Sequence, residues 1–380
     1  MLRILHITES MAAGVQQVLA QLAQAQVEAG ARVHIAHSIR SDTPAHAVLE
    51  KIFPAPISRE IVPLVTSPSV LADLRGMVAL GASISRYQPD VVHLHSSKAG
   101  ALGRIVCRVM GVSRVFYSPH GFSFLRLDVS SIKRKAFFQI ERLLASFGGR
   151  IVACSRSEAE LAERVTSPQR VTLVENAINL ESVPAREPRI GDSVRVVTSG
   201  RLCYQKAPWR FYALAHELRD ESAEFTWIGG GDNGSNQYAS AKGSDRAHTT
   251  GWMDRQALLQ LVARADVYVL LSLWEGMPLG LIEAQAAGLP AVVSDVIGSR
   301  DVVKHGVTGF VCADDAEAVQ RTKELLGDPA LRSCMGRAAR EMALSRFDAR
   351  HMHSDLWNLY NACSCAVTPC ICEQRQMRWS

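Results

Sequence analysis

The chain has 380 residues, enough for two domains of ordinary size, and its 47% hydrophobic and 21% charged residues are globular usage, which excludes a disordered or fibrous chain. No apolar run reaches the length of a bilayer-crossing helix. The net charge of +5 divides unevenly, +7 over residues 1–190 and −2 over residues 191–380, so an anionic partner is expected on the N-terminal side.

The opening MLRILHITES has one Arg, a short apolar run and no small-residue cleavage site, so it reads as a first strand and not as a secretory leader. There are nine cysteines, an odd number, and Cys107, Cys154, Cys203, Cys312 and Cys334 are scattered through apolar or mixed contexts. A reducing, cytoplasmic compartment is expected. Strands are predicted at 2–8, 31–37, 91–95, 113–119 and 150–155, with helical segments between them, the first running from Gln16 to Ala29 and ended by Gly30. Residues 184–193, PAREPRIGDS, read as a linker. The alternation then restarts, with strands at 195–200, 224–231, 246–251, 265–272 and 290–295. Apolar strands alternating with helices imply parallel sheets covered on both faces.

The expected architecture is therefore α/β, with two tandem Rossmann-like domains, 1–185 and 186–345, facing a central cleft. A C-terminal amphipathic helix, 346–362, carries Leu356, Trp357 and Tyr360 on one side and is expected to pack back toward the first domain. The Cys-rich tail 363–380 is expected to be disordered. Its spacing, C-x-C-x4-C-x-C, lacks the C-x2-C pairs usual at zinc sites. Ligands of such sheets bind at the loops that follow the strands.

Two loops carry the chemistry. In SLWEGMPLGLIEAQAAGLPAVVSD (272–295), Glu275 and Gly276 form a turn and Pro278 fits the first position of a helix. Leu279 and Gly280 then present free N–H groups at the helix N-terminus, an anion site suited to phosphate. Glu275 and Glu283 can both point into the cleft, where carboxylates accept hydrogen bonds from sugar hydroxyls. In SGRLCYQKA (199–207), Gly200 turns the chain after a strand, and Arg201 and Lys206 can clamp a diphosphate between a fork and a point charge. There they would neutralise charge developing on a departing nucleoside diphosphate. No Asp-x-Asp occurs, so a metal-bridged diphosphate is not indicated.

The two runs, in this order, resemble the retaining glycosyltransferases of the GT-B fold, family 4 (glycosyl transferases group 1), over nearly the whole chain. HITESMAAGVQQVL (6–19) resembles that family's first strand and glycine loop, with Ala13-Gly14 where two glycines are common. Gly14 is expected to keep the part that most needs no side chain. In HLHSSKAGALGRI (93–105), Ser96, Ser97 and Gly100 match a loop on the acceptor side, and in VFYSPHGF (115–122) His120 matches the active-site histidine. The other histidines are assigned no role. WIGGGD (227–232) and TGWMD (250–254) resemble the loops around the donor base, placing Gly230, Trp252 and Met253 there. VENAIN (174–179) resembles the inter-domain entry segment, with Ala177 in place of a glycine, and Lys206-Ala207 likewise departs from Lys-Gly.

The resemblance implies a hexosyl- or N-acetylhexosaminyltransferase that needs no metal or other cofactor. Arg201 and Lys206 would hold the diphosphate, Glu283 the ribose hydroxyls, Glu275 the sugar hydroxyls, and His120 the transferred sugar. The donor would be a UDP- or GDP-linked sugar and the acceptor a glycan, polyprenyl-linked, in surface polysaccharide, O-antigen or capsule biosynthesis. Attack from the leaving-group face would retain configuration. The basic, aromatic stretch 126–150 suits peripheral contact with an anionic membrane from the cytoplasmic side. No nucleic acid partner is expected. Two rivals stay open: a sugar-nucleotide epimerase of the same fold, and a non-catalytic nucleotide-sugar-binding protein. A dinucleotide-dependent oxidoreductase does not fit, because ESMAAGVQQ lacks G-x-G-x-x-G.

Overall fold

The structure, a computed structural model, describes residues 1–186, 193–231, 238, 241 and 243–362. The central part of the expected linker, 187–192, and the Cys-rich tail, 363–380, lie outside the described residues. The first domain is built on seven parallel strands: β1 (Arg3–Thr8), β2 (Arg32–His37), β3 (Ser58–Ile61), β4 (Val91–His95), β5 (Val115–Ser118), β6 (Arg150–Ala153) and β7 (Val171–Leu173). Their order is β3-β2-β1-β4-β5-β6-β7. The second domain holds β8 (Val194–Ser199), β9 (Ala223–Ile228), β10 (Ala247–Thr249), β11 (Val267–Leu270), β12 (Ala291–Ser294) and β13 (Gly309–Cys312), in the order β10-β9-β8-β11-β12-β13. In each sheet the chain moves outward one way, then returns past its first strand. The reversals fall between β1 and β4 and between β8 and β11, which are the crevices where such sheets bind ligands.

The interior strands are buried on both faces, which is why their apolar runs are legible. β3, β7 and β13 are not predicted, and all three are short edge strands. The SREI of β3 is half-exposed and polar, as suits an edge that must not recruit another chain.

Right-handed crossovers sort the helices of the first domain. α1 (Ala13–Glu28) and α2 (His46–Ile52) cover one face, in one core cluster with Ile4, Val33 and Ile35. α3 (Val70–Tyr87), α4 (Ser97–Val109), α5 (Ser131–Ala145) and α6 (Arg156–Val165) cover the other, around Leu5, Ile7 and Leu94. α1 begins three residues before the predicted Gln16. The second domain adds α7 (Pro208–Glu217), α8 (Arg255–Ala263), α9 (Leu279–Ala287), α10 (Ser299–Val302), α11 (Asp315–Gly327) and α12 (Pro329–Arg346).

Two chain crossings join the domains. Ile178, in the VENAIN segment, donates to the Phe347 carbonyl at 3.0 Å and accepts from Ala349 N–H at 3.0 Å. Ala177 is buried there, and the Asn176 amide donates to the Met277 carbonyl at 3.0 Å. One hydrophobic cluster therefore runs from Ile4 and Leu19 through Ile178 and Phe347 to Leu281 and Ile282. The last helix, α13 (Ala349–Ala362), returns along α1 and buries Met352, Leu356 and Tyr360 in that cluster, with Trp357 half-buried beside it. Tyr360 reaches the sheet of the first domain, its hydroxyl 2.5 Å from His93 Nδ1.

Candidate active site

The carboxyl ends of β1, β4 and β5 face those of β8 and β11 across the cleft, and the domains touch there. A Cβ built on Gly276 would lie 2.8 Å from Gly121 N and 2.8 Å from the His120 carbonyl carbon. Glycine at 276 is thus required for the approach of the two domains.

On the second domain, Gly200 follows β8 at φ +148, and its N–H donates to the Ile228 carbonyl at 3.0 Å. Lys206 lies against it and extends its Nζ to Glu275 Oε1 at 2.6 Å. Arg201 pairs across the cleft with Asp42 of the first domain, which also accepts from Arg40. Both cations expected at the diphosphate are therefore present at the cleft, each held by a carboxylate. Glu275 is likewise in place, paired with Lys206. Glu283 is 2% exposed and forms an ion pair with Arg255 at 2.7 Å. Burial raises its pKa and Arg255 opposes that shift.

Helix α9 begins at Leu279, so Pro278 falls one position earlier than predicted, as the residue preceding the helix. Its carbonyl accepts from Leu281 and Ile282 N–H at 3.2 Å each. The N–H groups of Leu279 and Gly280 precede the reach of any helix carbonyl. A Cβ on Gly280 would meet Ser199 Oγ at 2.5 Å and Tyr268 Oη at 2.9 Å, so glycine lets this turn sit against the ends of β8 and β11. Trp252 is 59% exposed and lies over the Gly230 backbone, where a Cβ would be 2.9 Å from its indole, while Met253 packs on the core beside it. This flat aromatic on a glycine-bearing loop suits a planar base.

On the first domain, the glycine loop differs from expectation. Gly14 lies in open space with nothing within 4 Å of an added Cβ, and the left-handed conformation falls on Ala13, at φ 50. Ala207, the other alanine standing where glycine is usual in the resembling family, has φ 48. Each such residue costs about 1 kcal/mol because its Cβ crowds the following carbonyl oxygen.

The three residues expected on the acceptor side each have an internal partner. Ser96 Oγ donates to Glu9 Oε2 at 2.6 Å, and the same carboxylate accepts from Ala99 N–H at 3.1 Å, so Glu9 occupies the N-terminus of α4. Ser97 hydrogen-bonds Tyr117. A Cβ on Gly100 would lie 2.2 Å from the Tyr117 ring, so this glycine is a packing residue between α4 and β5. The resemblance located the loop, but its partners Glu9 and Tyr117 are far away in sequence.

His120 follows β5 at φ 53, and Gly121 follows at φ +93. Gly121 N–H donates to Glu158 Oε1 at 2.6 Å, and Cys154 N–H donates to Glu158 Oε2 at 2.8 Å. This buried carboxylate, missed in the sequence, anchors the turn that carries His120. The S-x-x-E pattern Ser155–Glu158 could have flagged it as a helix start, and Ser155 does accept from Glu158 N–H at 3.2 Å.

The histidines given no role also join the site. His120 Nε2 is 3.0 Å from His95 Nδ1, His95 Nε2 is 2.9 Å from His6 Nδ1, and His6 Nε2 is 2.8 Å from Gln26 Oε1. His93 lies beside them, bonded to Tyr360 and to Ser118 Oγ at 2.9 Å. The available signal was positional: His93 and His95 alternate on β4, and His6 is the register partner of His93 on β1. Ligand atoms of His6, His93 and His95 lie within 4.8 Å of one another, a spacing a metal could use. Every ring nitrogen of the three already has a hydrogen-bond partner, so the arrangement is a hydrogen-bonded file. Burial holds His6 and His120 down to about 4 and His93 and His95 well below 6.5, so all are neutral at pH 7.

Comparison with known proteins places the chain among sugar transferases. Residues 12–182 match the family model described as Glycosyltransferase Family 4, and residues 182–342 match Glycosyl transferases group 1. The chain is 32% identical over 268 residues to the UDP-Gal:alpha-D-GlcNAc-diphosphoundecaprenol alpha-1,3-galactosyltransferase of Escherichia coli, covering 64% of this chain and 67% of that one. Among solved structures, sucrose-phosphate synthase from Thermosynechococcus elongatus superposes with a TM-score of 0.78 at 18% identity, over 95% of this chain and 99% of that one. Anabaena HepE in complex with UDP-glucose gives 0.77 at 16% identity, over 95% and 100%. These two show the GT-B fold.

The neutral histidines set a pH dependence. Each has a folded pKa below its unfolded value of 6.5, so its stabilising contribution is complete above pH 6.5 and is lost as the pH falls toward 4. Each contributes up to about 1.4 kcal/mol per pH unit in that window. Among the described residues six histidines are lowered, while three raised carboxyls, Glu158, Glu283 and Asp355, act in the opposite sense. The melting temperature should therefore drop between pH 6.5 and pH 5 in a calorimetric series. A flat or rising profile would contradict the neutral file.

Proposed function

The chain belongs to the family 4 glycosyltransferases, and on that premise we propose that its cleft moves a hexose or N-acetylhexosamine from a UDP-sugar to a hydroxyl of a polyprenyl-diphosphate-linked glycan, with retention of configuration. The carrying observation is the pair of cations on the loop after β8, Arg201 and Lys206, with their charges met by Asp42 and Glu275, while Gly280 of α9 lies against Ser199 at the end of the same strand. A diphosphate entering here replaces those carboxylate contacts and adds the N–H groups of Leu279 and Gly280. As the sugar–phosphate bond breaks, the same groups stabilise the charge on the leaving diphosphate without a metal. Glu283 takes the ribose hydroxyls, Trp252 borders the base, and Glu275, released from Lys206, takes sugar hydroxyls. His120 meets the transferred sugar from the first domain.

UDP is favoured over GDP because the Escherichia coli relative is named for UDP-Gal and the HepE structure holds UDP-glucose. That relative's diphosphoundecaprenol acceptor favours a lipid-linked acceptor here, and with it a role in surface polysaccharide assembly. For retention, Glu275 is committed to the sugar hydroxyls, and the leaving phosphate is the group that takes the acceptor's proton as attack occurs on the same face.

Exposed aliphatic and basic side chains on the first domain support the lipid-linked reading. α5 exposes Ile132 (79%), Ile140 and Leu143 beside Lys133, Lys135 and Arg142. α3, on the same face of the sheet, exposes Val70 (81%), Leu71, Leu74 and Val78. No helix among the described residues is long and apolar enough to cross a membrane. Exposed aliphatic side chains among the basic residues of α5 suit docking on an anionic, cytoplasmic-side leaflet.

Arg201→Ala and Lys206→Ala should each lower kcat/KM at least about 100-fold, the scale of losing one transition-state charge contact, with an unchanged circular dichroism spectrum. Near-normal rates in both would sink the diphosphate assignment. The protein should co-sediment with vesicles containing phosphatidylglycerol and be released by salt, and Ile132→Asp with Leu143→Asp should abolish this. Equal binding to neutral vesicles would argue against the charged surface.

A further inference from the structure

We propose that His95, His6 and Gln26 are positioning residues that fix His120 as the tautomer protonated at Nε2, leaving its Nδ1 a bare hydrogen-bond acceptor. The argument follows from donor counting. A neutral imidazole has one N–H and one lone-pair nitrogen, so in a line of hydrogen-bonded imidazoles each bond dictates the next. The line ends at Gln26 Oε1, which can only accept. His6 must then carry its proton on Nε2 and accept at Nδ1. His95 therefore donates from Nε2 to His6 Nδ1 and accepts at its own Nδ1. His120 donates from Nε2 to His95 Nδ1, and its own Nδ1 has no proton.

A side branch runs beside the file: the Tyr360 hydroxyl lies 2.5 Å from His93 Nδ1, and His93 Nε2 lies 2.9 Å from Ser118 Oγ. His6, His93, His95, Gln26 and Tyr360 are all buried, so an unmade hydrogen bond in the file carries the full desolvation cost. The turn of His120 is held separately by Glu158, so backbone and ring are each fixed.

The rings of His95 and His120 are near-parallel and meet edge to edge, centroids 5.3 Å apart at 10°, as an in-plane N–H···N bond requires. Among the described residues His120 Nδ1 makes no hydrogen bond, which leaves it for a hydroxyl donor. The use of this acceptor rests on the reading that His120 meets the transferred sugar. The file then makes His120 an acceptor of a sugar hydroxyl.

The test is the nitrogen-15 spectrum of the full-length protein labelled at histidine, recorded at pH 7 without ligand. His120 is assigned by its loss in His120→Gln. A protonated Nε2 and a bare Nδ1 on His120 are expected. The opposite tautomer, or averaging between the two, would overturn the proposal whatever the activity shows. Kinetics then read the positioning role. His95→Leu should lower kcat at least tenfold with the donor KM within twofold. His95→Asn, whose amide oxygen can stand near Nδ1 and accept from His120, should recover most of the loss. Equal loss in both would overturn the positioning role. If His95→Leu does not fold, the wild-type spectrum and His95→Asn still decide. A correct tautomer with full activity in His120→Ala would defeat the reading that His120 meets the sugar and leave the file intact.

Discussion

A cation proposed to bind a diphosphate must have another partner when none is bound. Arg201 and Lys206 meet that constraint with Asp42 and Glu275, and the rest of the site is arranged around the two pairs. One of them crosses between the domains, so the anion-binding group of the second domain also bears on the first. Breaking a half-buried ion pair costs less than stranding a fully buried charge, which suits contacts that are meant to be exchanged. Around them, Gly276 and Gly280 let α9 and the preceding turn approach His120 and the ends of β8 and β11 with no side chain between.

The two halves of the cleft use opposite electrostatics. The second domain concentrates paired charges where a nucleoside diphosphate would develop negative charge. The first domain offers buried, neutral imidazoles in a hydrogen-bonded line and a carboxylate, Glu158, that holds backbone N–H groups. On the proposed function, such neutral groups would orient sugar hydroxyls without competing for the diphosphate. The crossing of residues 176–179 with 347–349 and the return of α13 along α1 keep these halves in one packed body.

Much of this was legible in the sequence, and what was not has a common cause. The doubly wound alternation was readable because interior strands are apolar on both faces, whereas β3, β7 and β13 are short edges without such runs. The run 272–295 was readable because turn, helix start and carboxylates lie within two dozen residues, and the structure puts Arg201, Lys206, Glu275 and Gly280 at the cleft. The partners of Ser96 and Gly100, Glu9 and Tyr117, come from the loop after β1 and from β5, so the sequence alone does not place them beside this loop. The left-handed residue of the loop after β1 is Ala13, which composition does not show. The histidine file draws on β1, α1, β4 and the loop after β5, so only the strand order, with β1 beside β4, brings it together.

The most direct test of the account is transfer itself. The purified chain would be incubated with a panel of labelled UDP-, GDP- and ADP-sugars in the presence of EDTA, with and without a polyprenyl-diphosphate-linked glycan fraction. Free nucleoside diphosphate and labelled lipid would both be measured. The account predicts UDP release that depends on one sugar and on the lipid fraction, with an α-linked product from an α-linked donor. Release without acceptor, or failure to bind any nucleotide sugar, would contradict it.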